Sequence, residues 1–343
     1  MIREAIDKVV QSIDLTKEEA SLVMNEIMGG NATDAQIGGF LSALRMKGET
    51  AIEIAGMAEV MRSKALQVSV DDPLVDTCGT GGDGLGTFNI STTTAFVVAG
   101  AGVKVAKHGN RAASSKCGSA DVLEELGVKI NLSPQGVESC INTAGIGFMF
   151  APVFHPAMKY AAGPRKELGI RTVFNFLGPL TNPARVLHQV IGVADRSICE
   201  KMAEVLDIMG AKHALIVHGR DEGLDELSLS GPTDIWEVKN GKIQTYSITP
   251  NQVGLENAEQ DSLLGNSTQV NASILKEIVN GGKGPTRDVV LLNASAALLS
   301  ADLVKDLKDG IKMAAESIDS GCLLYTSDAA DERSSVDLGG RRI

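Results

Sequence analysis

The sequence has few aromatic residues and no paired cysteines, and each deficit excludes a class of protein. Phe, Trp and Tyr together make up 3% of the 343 residues, so the core must consist mainly of aliphatic side chains. The cysteines are odd in number and never form a Cys-x-x-Cys pair, which argues against structural zinc and against a disulfide framework. There are five of them: Cys78, Cys117, Cys140, Cys199 and Cys322.

Long apolar runs and a basic excess are also missing. No apolar stretch approaches the roughly 18 residues of a membrane-spanning helix, so no membrane contact is expected. The first eight residues, 1–8, carry charges where a secretory segment needs an apolar run, and we expect a cytoplasmic protein. With 43 acidic residues against 32 Lys and Arg, the net charge of −11 argues against a general nucleic-acid binder.

The basic residues concentrate in two islands of this acidic chain. Residues 84–120 contain no Asp or Glu, and residues 151–194 contain only Glu167. Two cationic islands favour a site for a small, highly charged anion. Chance clustering on solvated faces is the alternative. The cations are Lys104, Lys107, Arg111 and Lys116 in the first island, and Lys159, Arg165, Lys166, Arg171 and Arg185 in the second.

Helix-start signals organise the first 70 residues. In three places a Thr is followed three residues later by Glu or Gln, the spacing of a capping box. The pairs are Thr16 with Glu19, Thr33 with Gln36, and Thr50 with Glu53. We predict a small helical domain over 1–70, to which the proline-punctuated segment of about 163–185 packs back.

After Pro73, short apolar strands alternate with helical stretches, which is typical of an α/β domain. Asn240-Gly241 lies between two strand-like runs and predicts an antiparallel hairpin. The predicted fold class is therefore α/β, with a small N-terminal helical domain and a larger α/β domain built on a mixed, mostly parallel central sheet. The larger domain would comprise 73–162 and 186–321. Residues 322–343 show no periodicity and are expected to be a non-native tail.

A glycine-rich turn carries the first chemical signal. Five glycines lie within 79–86, after a predicted strand and before a predicted helix. Glycines let backbone N–H groups converge on anionic oxygens, so the turn predicts a phosphate cradle. The next strand ends in Lys107-His108 instead of the acid that binds NAD ribose, and no Gly-Lys-Ser or Gly-Lys-Thr follows. A purely structural turn remains the alternative.

Several further motifs occur together with this turn. They are Gly79-Thr80-Gly81-Gly82-Asp83, Asn89-Ile90-Ser91-Thr92, Lys107-His108-Gly109-Asn110-Arg111, Gly118-Ser119-Ala120-Asp121, Gly163-Pro164-Arg165, Gly178-Pro179-Leu180-Thr181-Asn182 and Asp225-Glu226. In this order, and over residues 1 to about 320, the chain resembles the anthranilate phosphoribosyltransferase family. The tail departs from the family pattern, in which the chain would complete a last helix.

The resemblance implies the fold, a reaction and a set of binding residues. The reaction joins anthranilate to phosphoribosyl pyrophosphate (PRPP), gives N-(5-phosphoribosyl)anthranilate and pyrophosphate, and belongs to tryptophan biosynthesis. Two Mg²⁺ per subunit and a homodimer formed through the helical domain are also implied. The implied PRPP-binding residues are Gly79, Gly82, Asp83, Thr87, Asn89, Ile90, Ser91, Thr92, Lys107, Ser115 and Ser119. Gly79, Asn110 and Arg165 would bind anthranilate, and Ser91, Asp225 and Glu226 would bind the metal.

No covalent nucleophile or general base is implied, because the aniline nitrogen already carries a free lone pair. His108 is expected to position the backbone, and Ser119 to cap the helix that follows it. Taken singly, these residues have ordinary readings: a helix cap for Ser91, solvated loop charges for Asp225-Glu226 and a surface arginine for Arg165.

Two other functions compete with this one. A pyrimidine nucleoside phosphorylase would share the architecture but arrange its lysine and serine differently around phosphate. A catalytically silent nucleic-acid-binding homologue would be basic across its groove and would lack Asn110 and Arg165. The acidic balance and the presence of both residues favour the transferase.

Overall fold

The N-terminal part of the protein is a bundle of four helices. The computed structural model describes residues 1–112 and 116–321, so Ser115 and the expected tail at 322–343 lie outside the described residues. The bundle consists of α1 (Ile2–Val10), α2 (Lys17–Met28), α3 (Asp34–Lys47) and α4 (Ala51–Lys64).

All three predicted capping boxes are confirmed. The Thr16 hydroxyl accepts the Glu19 amide at 3.2 Å, while the Glu19 carboxylate accepts the Thr16 amide at 3.0 Å. The same exchange begins α3 and α4. Each box satisfies backbone N–H groups that a helix start leaves without partners, and so marks where the helix begins.

The rest of the chain alternates strands and helices. The strands are β1 (Leu74–Gly79), β2 (Lys104–Gly109), β3 (Ile146–Phe150), β4 (His188–Gly192), β5 (His213–Gly219), β6 (Thr233–Lys239) and β7 (Lys242–Ile248). The helices are α5 (Ile90–Gly100), α6 (Ser119–Glu125), α7 (Pro134–Ala144), α8 (Ala151–Phe154), α9 (Lys159–Leu168), α10 (Phe174–Leu180), α11 (Cys199–Ile208), α12 (Thr268–Val279), α13 (Pro285–Ser300) and α14 (Leu307–Asp319).

One seven-stranded sheet runs in the order β3-β2-β1-β4-β5-β6-β7. The first five strands in this order pair in parallel, and β6 and β7 are antiparallel, so the mixed, mostly parallel sheet is confirmed. The hairpin turns at Asn240 and Gly241, whose φ angles of 49° and 76° are those of the predicted two-residue turn. Strand order reverses between β1 and β4, and open α/β sheets bind ligands at such a switch point, beyond the carboxyl ends of the strands.

Both faces of the sheet are covered. Val190 and Leu215 pack into a core shared with α5 and α13, whereas the next residues along the strands, Ile191 and Ile216, face the opposite side. That second core is continuous with the helical bundle. It also includes residues 161–180, which we call the return segment. The return segment contributes Ala161, Val173, Phe174, Leu177 and Leu180. The bundle is thereby held against one face of the sheet, next to the switch point. In the described part of the chain, no helix is both long and apolar enough to span a bilayer.

Candidate active site

The glycine turn leaves the sheet at the switch point. It connects the end of β1 to the start of α5, and glycines 81, 82, 84 and 86 all have φ between 68° and 81°. Residues other than glycine rarely adopt such φ angles, so the turn favours glycine at these positions. The turn leads directly into the N-terminus of α5, and the N-terminus of a helix is a position that favours an anion.

The Asp225-Glu226 pair meets this turn from the loop between β5 and β6. The Gly81 amide donates to Oδ2 of Asp225 at 2.7 Å, and the Ser91 amide donates to Oε1 of Glu226 at 3.0 Å. The predicted metal residues Ser91, Asp225 and Glu226 are thus brought together from positions up to 135 residues apart.

Two glycines of the sheet make this approach sterically feasible. Gly79 on β1 and Gly192 on β4 are register partners on adjacent strands. A methyl group on Gly192 would overlap the main-chain carbonyl of Asp225, and one on Gly79 would overlap its carboxylate. Sequence reasoning missed Gly192, because it lies outside the glycine turn and no local motif marks it.

The electrostatics of the pair favour a cation. Burial, and then repulsion from Asp83, raises the pKa of Asp225, while burial and then repulsion from Asp225 raises the pKa of Glu226. Lys107 partly opposes the rise at Glu226. Neighbouring carboxylates that repel one another are stabilised when a cation binds between them.

Mg²⁺ fits this donor set. Within 1–112 and 116–321, no three or more His, Cys, Asp or Glu side chains form a ready-made metal cluster. Mg²⁺ does not need one, since it is usually held by one or two carboxylates and takes its other ligands from water and substrate phosphates. Asp225 and Glu226, with the Ser91 hydroxyl nearby, are the residues that would hold it.

Lys107 is the buried cation of the site, with only 3% of its surface exposed. From β2 its Nζ donates to the Thr77 carbonyl at 2.5 Å and lies 3.5 Å from the Ser91 hydroxyl. An ammonium group held beside the start of α5 adds to the positive potential of the helix N-terminus.

The predicted segment 89–92 forms the start of α5. Asn89 is the N-cap residue, and its side chain is fixed by the Cys117 carbonyl at 3.1 Å and by Asn271 at 2.9 Å. Ser91 lies inside the helix, so its ordinary reading as a cap is wrong. Ile90 and Thr92 are buried and face the core. Thr87 forms an isolated β-bridge with Leu264.

The remaining predicted residues are more dispersed. Ser119 does not cap α6, contrary to prediction: Gly118 is the N-cap, because its amide donates to Asp121, and the Ser119 hydroxyl instead donates to the Asn110 carbonyl at 3.2 Å. Arg165 on α9 stacks 4.9 Å from the Phe174 ring centre, and burial lowers its pKa. In the described chain no hydrogen bond joins Arg165 to Asn110 or to the glycine turn.

A histidine pair lies at the carboxyl end of β2. The His108 and His155 rings have centroids 5.0 Å apart, and both side chains are buried. His108 hydrogen-bonds to the backbone of Gly178 and His155 to that of Thr181, while neither Nε2 has a partner among the described residues. Burial lowers the pKa of His108 to about 3 and that of His155 to about 4. Both rings are therefore neutral, and each joins the α/β domain to the end of α10. The contact between His155 and His108 has no local signal, because the two residues lie in separate segments of the sequence.

Comparison with known proteins agrees with this geometry. Residues 71–323 match the glycosyl transferase family α/β domain, and residues 3–65 match the helical bundle domain of the same family. The chain is 59% identical over 322 residues to the anthranilate phosphoribosyltransferase of Chloroflexus aggregans, covering 93% of this chain and 94% of that protein. It is 56% identical to the one from Dehalococcoides mccartyi, covering 94% and 95%.

Solved structures give the same result. The anthranilate phosphoribosyltransferase of Thermus thermophilus superposes with a TM-score of 0.91 at 44% identity, over 96% of this chain and 98% of that one. The Saccharomyces cerevisiae enzyme in complex with PRPP and Mg superposes with a TM-score of 0.89 at 29% identity, over 97% and 98%. By sequence over nearly its whole length and by fold, the chain belongs to the anthranilate phosphoribosyltransferase family.

Proposed function

We infer that the chain transfers the phosphoribosyl group of PRPP to the amine of anthranilate, giving N-(5-phosphoribosyl)anthranilate and pyrophosphate in tryptophan biosynthesis. The observation that carries this function is the meeting of the glycine turn with Asp225 and Glu226 at the switch point of the sheet. A phosphate cradle next to a carboxylate pair suits a metal-bound diphosphate, which is the leaving group of this reaction.

PRPP would occupy the turn and the start of α5. Its pyrophosphate would lie against the turn and its phosphate oxygens would meet Lys107, with Ser119 at the rim. The residues that would bind PRPP are those that the family resemblance implies: Gly79, Gly82, Asp83, Thr87, Asn89, Ile90, Ser91, Thr92, Lys107, Ser115 and Ser119. Related structures support Mg²⁺ as the metal, since the Saccharomyces cerevisiae enzyme holds Mg with PRPP. We propose two ions per subunit, held by Ser91, Asp225 and Glu226.

The residues of the site act mainly by charge and alignment. As the bond from C1 of the ribose to the pyrophosphate oxygen breaks, positive charge develops on the sugar and negative charge on the leaving group. Lys107 and the backbone N–H groups of the turn stabilise the leaving group. Ser91, Asp225 and Glu226 would hold Mg²⁺, which would neutralise further charge on the pyrophosphate. The neutral aniline nitrogen then bonds to C1 and loses its proton to solvent water, so correct placement of the acceptor suffices.

Anthranilate would lie against Gly79, Asn110 and Arg165. Its carboxylate is matched by the guanidinium of Arg165, which can donate two parallel hydrogen bonds, and the Asn110 amide would orient it. The half-buried Arg165 has no carboxylate partner within the described residues, and it is therefore free to pair with the substrate. A complex of the Saccharomyces cerevisiae enzyme with 4-fluoroanthranilate supports an aromatic acid as the acceptor.

Assembly and location complete the proposal. We place the domain boundaries at 1–70 with 163–185, and at 73–162 with 186–321. A cytoplasmic homodimer would form through the bundle, which exposes Leu22, Met46 and Ile52. Sedimentation at several protein concentrations tests the dimer, which a monomer at all concentrations would exclude.

The fluorescence of anthranilate tests the reaction. With PRPP and Mg²⁺ the signal falls as anthranilate is consumed, and with EDTA it stays constant. Phosphorolysis of thymidine in place of this reaction would identify a nucleoside phosphorylase. Tight, salt-sensitive DNA binding without turnover would identify the silent homologue. The assay is repeated on a chain ending at Gly321, so that any effect of residues 322–343 is separated from the chemistry.

A further inference from the structure

Arg171 lies against the glycine turn, although no donor-binding motif includes it. It lies between α9 and α10, in the segment that packs with the bundle, and belongs to the second cationic island. Its Nη1 is so close to Gly82 that a methyl group there would collide with it. A cation from the bundle side of the cleft thus meets the turn assigned to pyrophosphate.

The charge of Arg171 has no partner in the described part of the chain. Other arginines are paired there: Arg111, Arg196, Arg220 and Arg287 each form an ion pair with an aspartate. Asp195 is the carboxylate whose pKa Arg171 lowers by electrostatic attraction, but a hydrogen bond from Ser197 contributes more to that lowering. An exposed guanidinium without a carboxylate, beside a phosphate cradle, is available to a bound anion.

The main chain at Arg171 is fixed, although the side chain is exposed. Its carbonyl accepts a hydrogen bond from Nη1 of Arg45 on α3, and the next amide, that of Thr172, donates to Asn175 at 2.8 Å. The bundle therefore holds the base of the side chain, and less conformational freedom remains to be lost when the guanidinium binds a ligand.

We propose that Arg171 is a donor-binding residue whose guanidinium contacts the pyrophosphate group of PRPP above the glycine turn. This inference rests on the proposed function. The planar guanidinium presents two parallel N–H groups to phosphate oxygens, which an ammonium group cannot do. Arg165 and Arg171 lie six residues apart, so one short segment would contact the acceptor carboxylate with one arginine and the donor pyrophosphate with the other.

The test compares Arg171→Ala and Arg171→Lys with two controls. Lys166→Ala removes an exposed cation from the segment that also carries Arg171. Asp195→Asn removes the carboxylate that interacts electrostatically with Arg171. For each variant, the KM values for PRPP and anthranilate are measured, pyrophosphate with Mg²⁺ is titrated by calorimetry, and thermal unfolding verifies the fold.

Arg171→Ala is expected to raise the KM for PRPP and the Kd for pyrophosphate about tenfold, with the KM for anthranilate unchanged. Arg171→Lys should fall between the alanine variant and wild type, and both controls should match wild type. Two results in an assay where the wild type is active would overturn the inference. One is an unchanged KM for PRPP in Arg171→Ala, and the other is a tenfold rise of that KM in Asp195→Asn as well. A wild-type protein without turnover would instead overturn the proposed function.

Discussion

The buried pair of His108 and His155 makes the folded protein sensitive to mild acid. Both side chains are neutral in the fold, with pKa values lowered to about 3 and about 4, whereas an unfolded histidine titrates near pH 6.5. The unfolded chain therefore binds protons that the folded chain cannot. Because the folded pKa is the lower one, the stabilisation is present above about pH 6.5 and is lost as the pH falls toward 4.

The size of the effect follows from these values. Between pH 7 and pH 5, each histidine lowers the free energy of unfolding by about 2 kcal/mol, and the pair by about 4 kcal/mol. The double variant His108→Asn/His155→Asn keeps an amide donor toward the Gly178 and Thr181 backbones but cannot titrate. Between pH 7 and pH 5, the free energy of unfolding of this variant is expected to fall by about 4 kcal/mol less than that of the wild type.

Urea unfolding followed by the fluorescence of Trp236 measures both proteins at each pH. The comparison uses the difference between wild type and variant, since other groups, including Asp225 and Glu226, also titrate in this range. Each single variant should remove about half of the difference. Equal pH dependence in the wild type and the double variant would refute the account of a neutral buried pair.

Three further changes probe the site. Asp225→Asn/Glu226→Gln should abolish Mg²⁺-dependent turnover without lowering the thermal midpoint, because it relieves buried repulsion; retained turnover contradicts their role. Arg165→Ala should raise the KM for anthranilate about tenfold and leave that for PRPP nearly unchanged; equal rises would indicate a structural role. Gly192→Ala should cost about 3 kcal/mol or more of unfolding free energy, because its methyl group meets the Asp225 carbonyl, whereas Gly84→Ala, in open space, should cost about 1 kcal/mol. Urea titration of both glycine variants decides, and equal losses count against the contact.

Features with a local signal could be predicted from the sequence. The capping boxes and the Asn240-Gly241 hairpin depend on residues at most three positions apart, and the structure confirms them. The glycine turn was equally visible, because several adjacent positive φ angles require adjacent glycines. Alternation of strands and helices then gave the parallel part of the sheet.

Features that depend on distant parts of the chain could not be predicted. Gly192 needs to be glycine because of Asp225, 33 positions later, and no pattern along β4 reveals this. Arg171 meets Gly82 only after the return segment folds onto the bundle. The N-cap of α6 lies one residue before the predicted Ser119. Gly118 together with Asp121 caps this helix as effectively as a serine would. The roles of Asp225 and Glu226 came from the resemblance, as two adjacent acids in a loop have no distinctive pattern.

We propose that the glycine turn and the Asp225-Glu226 pair together hold the pyrophosphate of the sugar donor. A crystal of the full chain soaked with PRPP and Mg²⁺ tests this most directly. We predict electron density for the pyrophosphate against residues 79–83, with metal density beside Asp225 and Glu226. Donor density elsewhere in the cleft, with nothing bound at the turn, would contradict the claim.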